Sequence, residues 1–286
     1  MAFSRADALA YFSRTYQEEY DALGLEGMAA FLQEGRRWSL APVLEAGGIL
    51  VFPHVHIADC GHQVAAVVNA CLNSGADQVL AIGVLHAWTD EMVAARASDS
   101  GHPLRRVFGE GLDNPIDVWE RDHSMHGFKR MFADACALRG VVPPKLVVRY
   151  PFLTGASPET LPGIQELQSL AADSVVVSTA DHCHHGIGYG HEASSALGSD
   201  EAGLATVRGW ISEGLALLDE GRVSEYLEHC VTVTKSDWRD PGPVVRYLRG
   251  PLRSTIIDMI ASDFSDSIYQ APKPTWCAGA LVVAEG

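Results

Sequence analysis

Two short apolar runs set the tightest limits on the fold. Ile49-Leu50-Val51-Phe52 is apolar throughout, and Gln78-Val79-Leu80-Ala81-Ile82-Gly83-Val84-Leu85 is apolar after its first residue. A strand without polar alternation has protein on both faces, as in a parallel sheet covered by helices. Between the runs, residues 61–74 carry Val64, Val67, Val68, Cys71 and Leu72 at helical spacing, so the order is strand, helix, strand. Each strand runs into histidine, the first through Pro53-His54-Val55-His56 and the second at His86. Open α/β sheets build their sites at such carboxyl ends.

The remaining segments extend this pattern. Residues 4–36 show helical spacing through Leu9, Phe12, Tyr16 and Tyr20, then through Met28, Phe31 and Leu32, with Ser4 or Asp7 as cap. Residues 89–114 are irregular and suggest a loop or flap. A helix is expected over 117–138, where Asp122-His123-Ser124-Met125-His126 falls. Further strands are expected at Lys145–Tyr150 and Ser174–Ser178, the latter ending in Asp181-His182-Cys183-His184-His185-Gly186. Helices are expected at 163–172 and twice within 200–228. The turn Ser236–Pro243 opens another at 244–248, and two strand-like runs, 254–260 and 276–283, close the chain. With about six strands, no repeat and no linker, the expectation is one α/β domain over 48–286. Its central sheet should be mostly parallel and flanked by helices, with 1–47 as a helical extension packed against it.

Composition excludes several roles. Hydrophobic residues make up 47 % of the 286, enough for a large core. The formal net charge of -15 disfavours nucleic acid and anionic membranes as partners. No stretch reaches the ~18 uncharged apolar residues of a membrane span. The start lacks a basic region followed by an apolar run, so a cytoplasmic location is expected. The six cysteines form no CxxC pair, which argues against a zinc–thiolate or iron–sulfur site and for reduced thiols. Only Cys183 lies inside a histidine cluster.

Nine of the 12 histidines fall in four short groups: His54, His56 and His62; His86; His123 and His126; His182, His184 and His185. A lone histidine is more often structural than a ligand, but convergence of His54 and His86 at one sheet edge favours metal binding. Two imidazoles and a carboxylate on one face form the site of non-haem Fe(II) oxygenases, and the same ligands hold Zn(2+) for hydrolysis. The carboxylate could be Asp237, Asp181, Asp122 or Asp59. Asp237 reads equally well as a helix cap. Three rivals stand beside the oxygenase. His54-Val55-His56 would suit a zinc-dependent hydrolase of the amidohydrolase-barrel kind, though such a barrel needs eight strand–helix units. A non-enzymatic metal-binding protein and a purely structural site are the others.

The motifs resemble one family. Pro53-His54-Val55-His56-Ile57 with Cys60-Gly61 is similar to the Pro-His-Ala-Gly-Tyr segment of the Memo-like proteins. Ile82-Gly83-Val84-Leu85-His86 is similar to their Leu-Gly-Pro-Ser-His, and Asp122–His126 to Glu-His-Ser-x-Glu. Ser178–Gly186 is similar to Ser-Ser-Asp-x-x-His-x-Gly, and Trp276–Val283 to the Tyr-Ala-Ala-Gly-Ala-Leu ending. That family shares its fold with the class III extradiol ring-cleavage dioxygenases of the protocatechuate 4,5-dioxygenase catalytic-subunit type. The resemblance implies His54 and His86 as metal ligands, His184 as acid/base and His123 as a second pocket histidine. Where the family has Cys-Gly-Arg-His-Pro, this chain has Asp237-Trp238-Arg239-Asp240-Pro241. The aspartate would complete a 2-His-1-carboxylate set. The expectation is therefore a dioxygenase with Fe(2+), or Zn(2+) as the alternative, acting on a small catecholic or aminophenolic aromatic with O2. His56, His126, His185, Arg239 and Trp238 are the expected substrate contacts, and a homo-oligomer is in keeping with the fold. Trp88, Trp238, Tyr189 and Phe152 are expected pocket walls. Arg149 and Arg239 could hold a substrate carboxylate or stand in ion pairs.

Overall fold

The computed structural model describes residues 5–97, 101–266 and 272–286. Ser4, one of the two expected caps, lies outside the described residues, while Asp7 falls in the first helical turn. The strands are β1 (Ile49–Phe52), β2 (Gln78–Ile82), β3 (Arg106–Phe108), β4 (Lys145–Phe152), β5 (Val175–Thr179), β6 (Asp181–Gly186), β7 (Arg253–Asp263) and β8 (Thr275–Glu285). The helices are α1 (Arg5–Glu34, broken at Gly24), α2 (Ala41–Glu45), α3 (Ile57–Asn73), α4 (Asp90–Arg96), α5 (His126–Arg139), α6 (Ile164–Ala172), α7 (Glu201–Asp219), α8 (Val223–Thr232) and α9 (Pro241–Arg249).

All described strands join one sheet in the order β3-β4-β2-β5-β1-β8-β6, with β7 also paired to β8. Strands β4, β2, β5 and β1 are parallel to their neighbours in the centre. The pairings of β3 with β4, and of β8 with β1, β6 and β7, are antiparallel. The sheet is thus mixed rather than mostly parallel, a correction to the sequence expectation. The continuous apolar runs mark only the centre, because only there do helices cover both faces. Leu50, Phe52, Val79, Ala81 and Val177 point to one side, under α1, α3 and α5. Ile49, Val51, Leu80, Ile82 and Val176 point to the other, under α6, α7, α8 and α9. Among the described residues the sheet is open rather than closed into a (β/α)8 barrel, so the barrel form of the hydrolase reading falls.

One feature of the register positions the site. β7 pairs along the whole of one edge of β8. β1 and β6 share the other edge, β1 against residues 282–284 and β6 against 275–279. The chain leaving β5 therefore steps across the end of β1 and takes up the lane that β1 vacates. His184 lies opposite Cys277 in that pairing. The histidine run expected as a strand end is itself a strand.

The helix expected over 117–138 begins late. Two 3-10 turns, Val118–Arg121 and His123–Met125, precede α5, and the Asp122 carboxylate caps the second by accepting from the Ser124 amide at 3.0 Å. The irregular stretch after residue 89 contains α4 and β3. Among the described residues, no helix is long and apolar enough to cross a membrane.

Candidate metal centre

Two residues beyond the end of β1, His54 is buried at 7 % exposure. Its Nδ1 lies 3.0 Å from the Thr179 hydroxyl, which donates its own hydrogen to the Phe52 carbonyl at 2.8 Å. The hydroxyl can therefore only accept from Nδ1–H, which leaves Nε2 facing inward. His86 is oriented by the same logic. Its Nδ1 lies 3.2 Å from both oxygens of Asp122, a carboxylate that can only accept, so Nε2 is again the free nitrogen. Asp122 also receives the His86 amide at 2.9 Å and the Trp88 indole at 3.2 Å. Such partners behind an imidazole fix the ring orientation of metal-binding histidines.

Asp237 opens a 3-10 turn, Asp237–Arg239, but does not cap it. The Ser236 hydroxyl accepts from the Trp238 amide at 3.2 Å and takes that role. One Asp237 oxygen accepts from the Asp181 amide at 3.0 Å. The other lies 3.0 Å from His54 Nε2 and 3.8 Å from His86 Nε2. Apart from facing each other, His54 Nε2 and this second oxygen have no hydrogen-bond partner, although both are buried. Donors at ~2.1 Å from a metal ion and at right angles are about 3 Å apart, the spacing of His54 Nε2 and the Asp237 oxygen, while His86 Nε2 at 3.8 Å stands at the edge of such a shell. Asp181 stands next to them. Its Oδ1 accepts from the His54 amide at 3.0 Å, and its Oδ2 is 3.6 Å from His54 Nε2. Three overlapping groups bring donor atoms within 4.8 Å of one another: His54, His86 and His123; His54, Asp181 and Asp237; and Asp181, His184 and Cys277. Of the other carboxylates considered from sequence, Asp122 stands behind His86, and Asp59 instead accepts from the Ser262 hydroxyl at 2.6 Å.

Charge follows this geometry. Burial opposes protonation of His54, but the Asp181 and Asp237 carboxylates outweigh it and hold the imidazole at about 9. Burial alone would raise Asp237, yet the positive charge of His54 wins and keeps it well below the usual carboxylate range. In the metal-free molecule a proton thus stands where a cation would. Asp181 is raised, chiefly by burial. His123 is driven well below the ordinary value by burial and then by His86, so it is neutral.

A cavity of about 220 Å³ opens on this cluster. Its walls include Phe12 and Tyr16 from α1, then His86, Trp88, His123, Asp181, His184, Tyr189, Phe264 and Cys277. His123 is sandwiched between Phe12, stacked at 4.6 Å, and His86, stacked at 4.3 Å. The Tyr16 hydroxyl donates to the His54 carbonyl at 2.6 Å, tying α1 to the cluster. His184 is the histidine of its run that reaches this cavity, with Nδ1 donating to the Lys235 carbonyl at 2.9 Å.

The other expected contacts lie elsewhere. His182 packs edge-on to Trp238 at 5.3 Å, and burial pushes it down to about 4. His185 Nε2 accepts from the Leu197 amide at 2.9 Å. His56 pairs with Glu19 and stacks on Phe264 at 4.4 Å. His126 meets Tyr20 edge-on at 5.8 Å. Trp238 is buried, with its indole donating to the Ser178 hydroxyl at 3.0 Å. Phe152 is in the core, Arg149 is paired with Glu166 at 2.7 Å, and Arg239 lines a different cavity. All six cysteines are free and buried. Cys183 belongs to the core, whereas Cys277, which the sequence does not single out, reaches the cavity and meets the Tyr189 hydroxyl at 3.1 Å. Phe12, Tyr16, Phe264 and Cys277 were missed because they lie far along the chain from the histidines; only the strand pairing across β6 and β8 would have pointed to Cys277.

Fold and site together define an α/β protein with imidazoles and carboxylates gathered at the carboxyl ends of parallel strands. Comparison with models of known protein families gives no match, and comparison with curated proteins gives none either.

Proposed function

We propose that the chain is a non-haem Fe(II)-dependent dioxygenase of the extradiol kind, acting on a small catecholic or aminophenolic aromatic. His54, His86 and Asp237 would hold the metal. The observation that carries the reading is the pair of buried atoms His54 Nε2 and Asp237 Oδ2, 3.0 Å apart, with no other partner and with the groups behind them held in place. Iron in a 2-His-1-carboxylate set supplies open positions for a chelating substrate and redox chemistry toward O2.

The chain's own groups do the rest. Phe12, Tyr16, Trp88 and Phe264 wall the cavity with rings, which suits a flat aromatic and excludes water. A cavity of roughly 150 Å³ already admits benzene, so one substituted ring fits in 220 Å³. His184 donates through Nδ1 to the Lys235 carbonyl, which leaves Nε2 to take the substrate's hydroxyl proton and return it to the product. His123, held neutral, offers a ring nitrogen to a substrate or dioxygen oxygen. The ring-opened product carries both atoms of O2. The sheet edge and the five motifs in order also support membership of the Memo-like fold group.

Oxygen uptake tests this reading. Protein reconstituted with Fe(II) under anaerobic conditions is mixed with catechols and aminophenols and the oxygen consumed is measured. Turnover is expected, with His184→Gln lowering kcat by about 10²–10⁴-fold at unchanged iron content. Iron-replete protein that consumes no oxygen with any of them contradicts the assignment, and activity that follows zinc instead favours hydrolysis.

A further inference from the structure

A feature left unused by this reading is a second cavity of about 490 Å³, beside Arg239 and Asp240. Arg96, Arg105 and Arg239 line it, with Thr154, Ser157 and Asp240. Three guanidinium groups thus face one carboxylate, in a chain whose net charge is -15.

The three arginines are not equivalent. Arg96 pairs with Asp240 at 2.8 Å and lies 4.4 Å over the Phe152 ring. Arg105 donates to the Thr160 carbonyl at 2.8 Å, the Thr154 carbonyl at 3.1 Å, the Ser157 carbonyl at 3.2 Å and the Thr160 hydroxyl at 2.8 Å. These acceptors are neutral, so its charge is not offset. Arg239 makes no hydrogen bond or ion pair among the described residues, and its Nε is buried without a partner. A buried guanidinium nitrogen left without an acceptor is costly, and an anion seated on the fork offsets that cost.

The opposite wall is built to match. Thr154 is fully buried; its amide donates to Asp240 at 3.1 Å and its carbonyl serves Arg105. Its hydroxyl has no partner. The preceding Leu153 holds φ +57°, a conformation that strains a non-glycine residue and that persists where surrounding bonds over-determine it. Here those bonds are the ones from Asp240 and Arg105.

We infer that this cavity binds a small oxyanion, a phosphate or carboxylate group carried by a metabolite-sized molecule. The planar fork of Arg239 is its main donor, with the Thr154 hydroxyl and the charge of Arg105 beside it. The cavity is larger than a bare phosphate requires, so the group is one end of a larger ligand. This site stands apart from the metal reading, because none of its donors belongs to the metal cluster.

Calorimetric titration of chelator-treated protein with inorganic phosphate, and separately with malonate, at constant ionic strength tests the inference. At least one anion should bind once per chain. Arg239→Met should weaken it tenfold or more, Thr154→Val severalfold, and Arg239→Lys should recover part of the loss. Binding of phosphate alone assigns a phosphoryl group, and binding of malonate alone a carboxylate. Should Arg239→Met fail to fold, Thr154→Val, which keeps the shape of the side chain, carries the test. No binding of either anion at about 10 mM, or affinity unchanged in the variants, overturns the site.

Discussion

Asp122 shows how much of the cluster depends on a residue that need not touch the metal itself. It receives the His86 ring and amide, the Trp88 indole and the Ser124 amide. Burial would favour its neutral form, but the positive charge of His86 keeps it ionised far below the ordinary range. Asp122→Ala frees the His86 ring, so metal affinity, measured by chelator competition, should fall about 10–100-fold. The protonation of His54 adds a pH signature. With its metal-free value raised to about 9, a proton must leave before Nε2 can bind a cation. Apparent metal affinity should therefore rise with pH up to about 9 and level off above it. Near pH 7.5, binding should release about one proton, read by calorimetry in buffers of different ionisation enthalpy. The same shift stabilises the metal-free fold: its contribution is fully present below the ordinary histidine value and is lost as pH rises through about 9.

At the level of elements, the step from β5 to β6 gathers the site. It brings Asp181 and His184 in front of His54, and it ends at Gly186, where φ is +105°. A Cβ there would stand 2.0 Å from the Pro274 carbonyl oxygen, which is backbone and cannot yield. Gly186→Ala should therefore cost about 3 kcal/mol or more in urea unfolding, from conformation and clash together. The same step marks where the sequence stops being legible. β1 is legible to its ends, because a strand buried on both faces shows as an unbroken apolar run. β6 is not, because Asp181-His182-Cys183-His184-His185-Gly186 has no strand-like alternation and forms only because β8 offers it an empty edge. His54, His86, His123, His184 and Asp237 are visible in the sequence as residues following strands or matching motifs. Their common focus is not, since nothing local tells that the turn at Ser236 returns Asp237 to the end of β1.

Across the whole molecule, the N-terminal helix matters more than an outer covering would. Phe12 and Tyr16 of α1 wall the cavity, and Tyr20 ties α1 to α5 through the Gly127 carbonyl at 2.7 Å. The segment 237–240 serves two places at once, with Asp237 in the metal cluster and Arg239 and Asp240 at the second cavity. The proposed chemistry requires that His54, His86 and Asp237 hold a metal ion. The most direct test is elemental analysis of anaerobically purified protein, wild type beside Asp237→Ala, with melting curves to show that both fold. About one iron per chain in the wild type, lost in the variant, is the predicted result. A wild type without metal, or a folded variant that keeps its full complement, would contradict the claim.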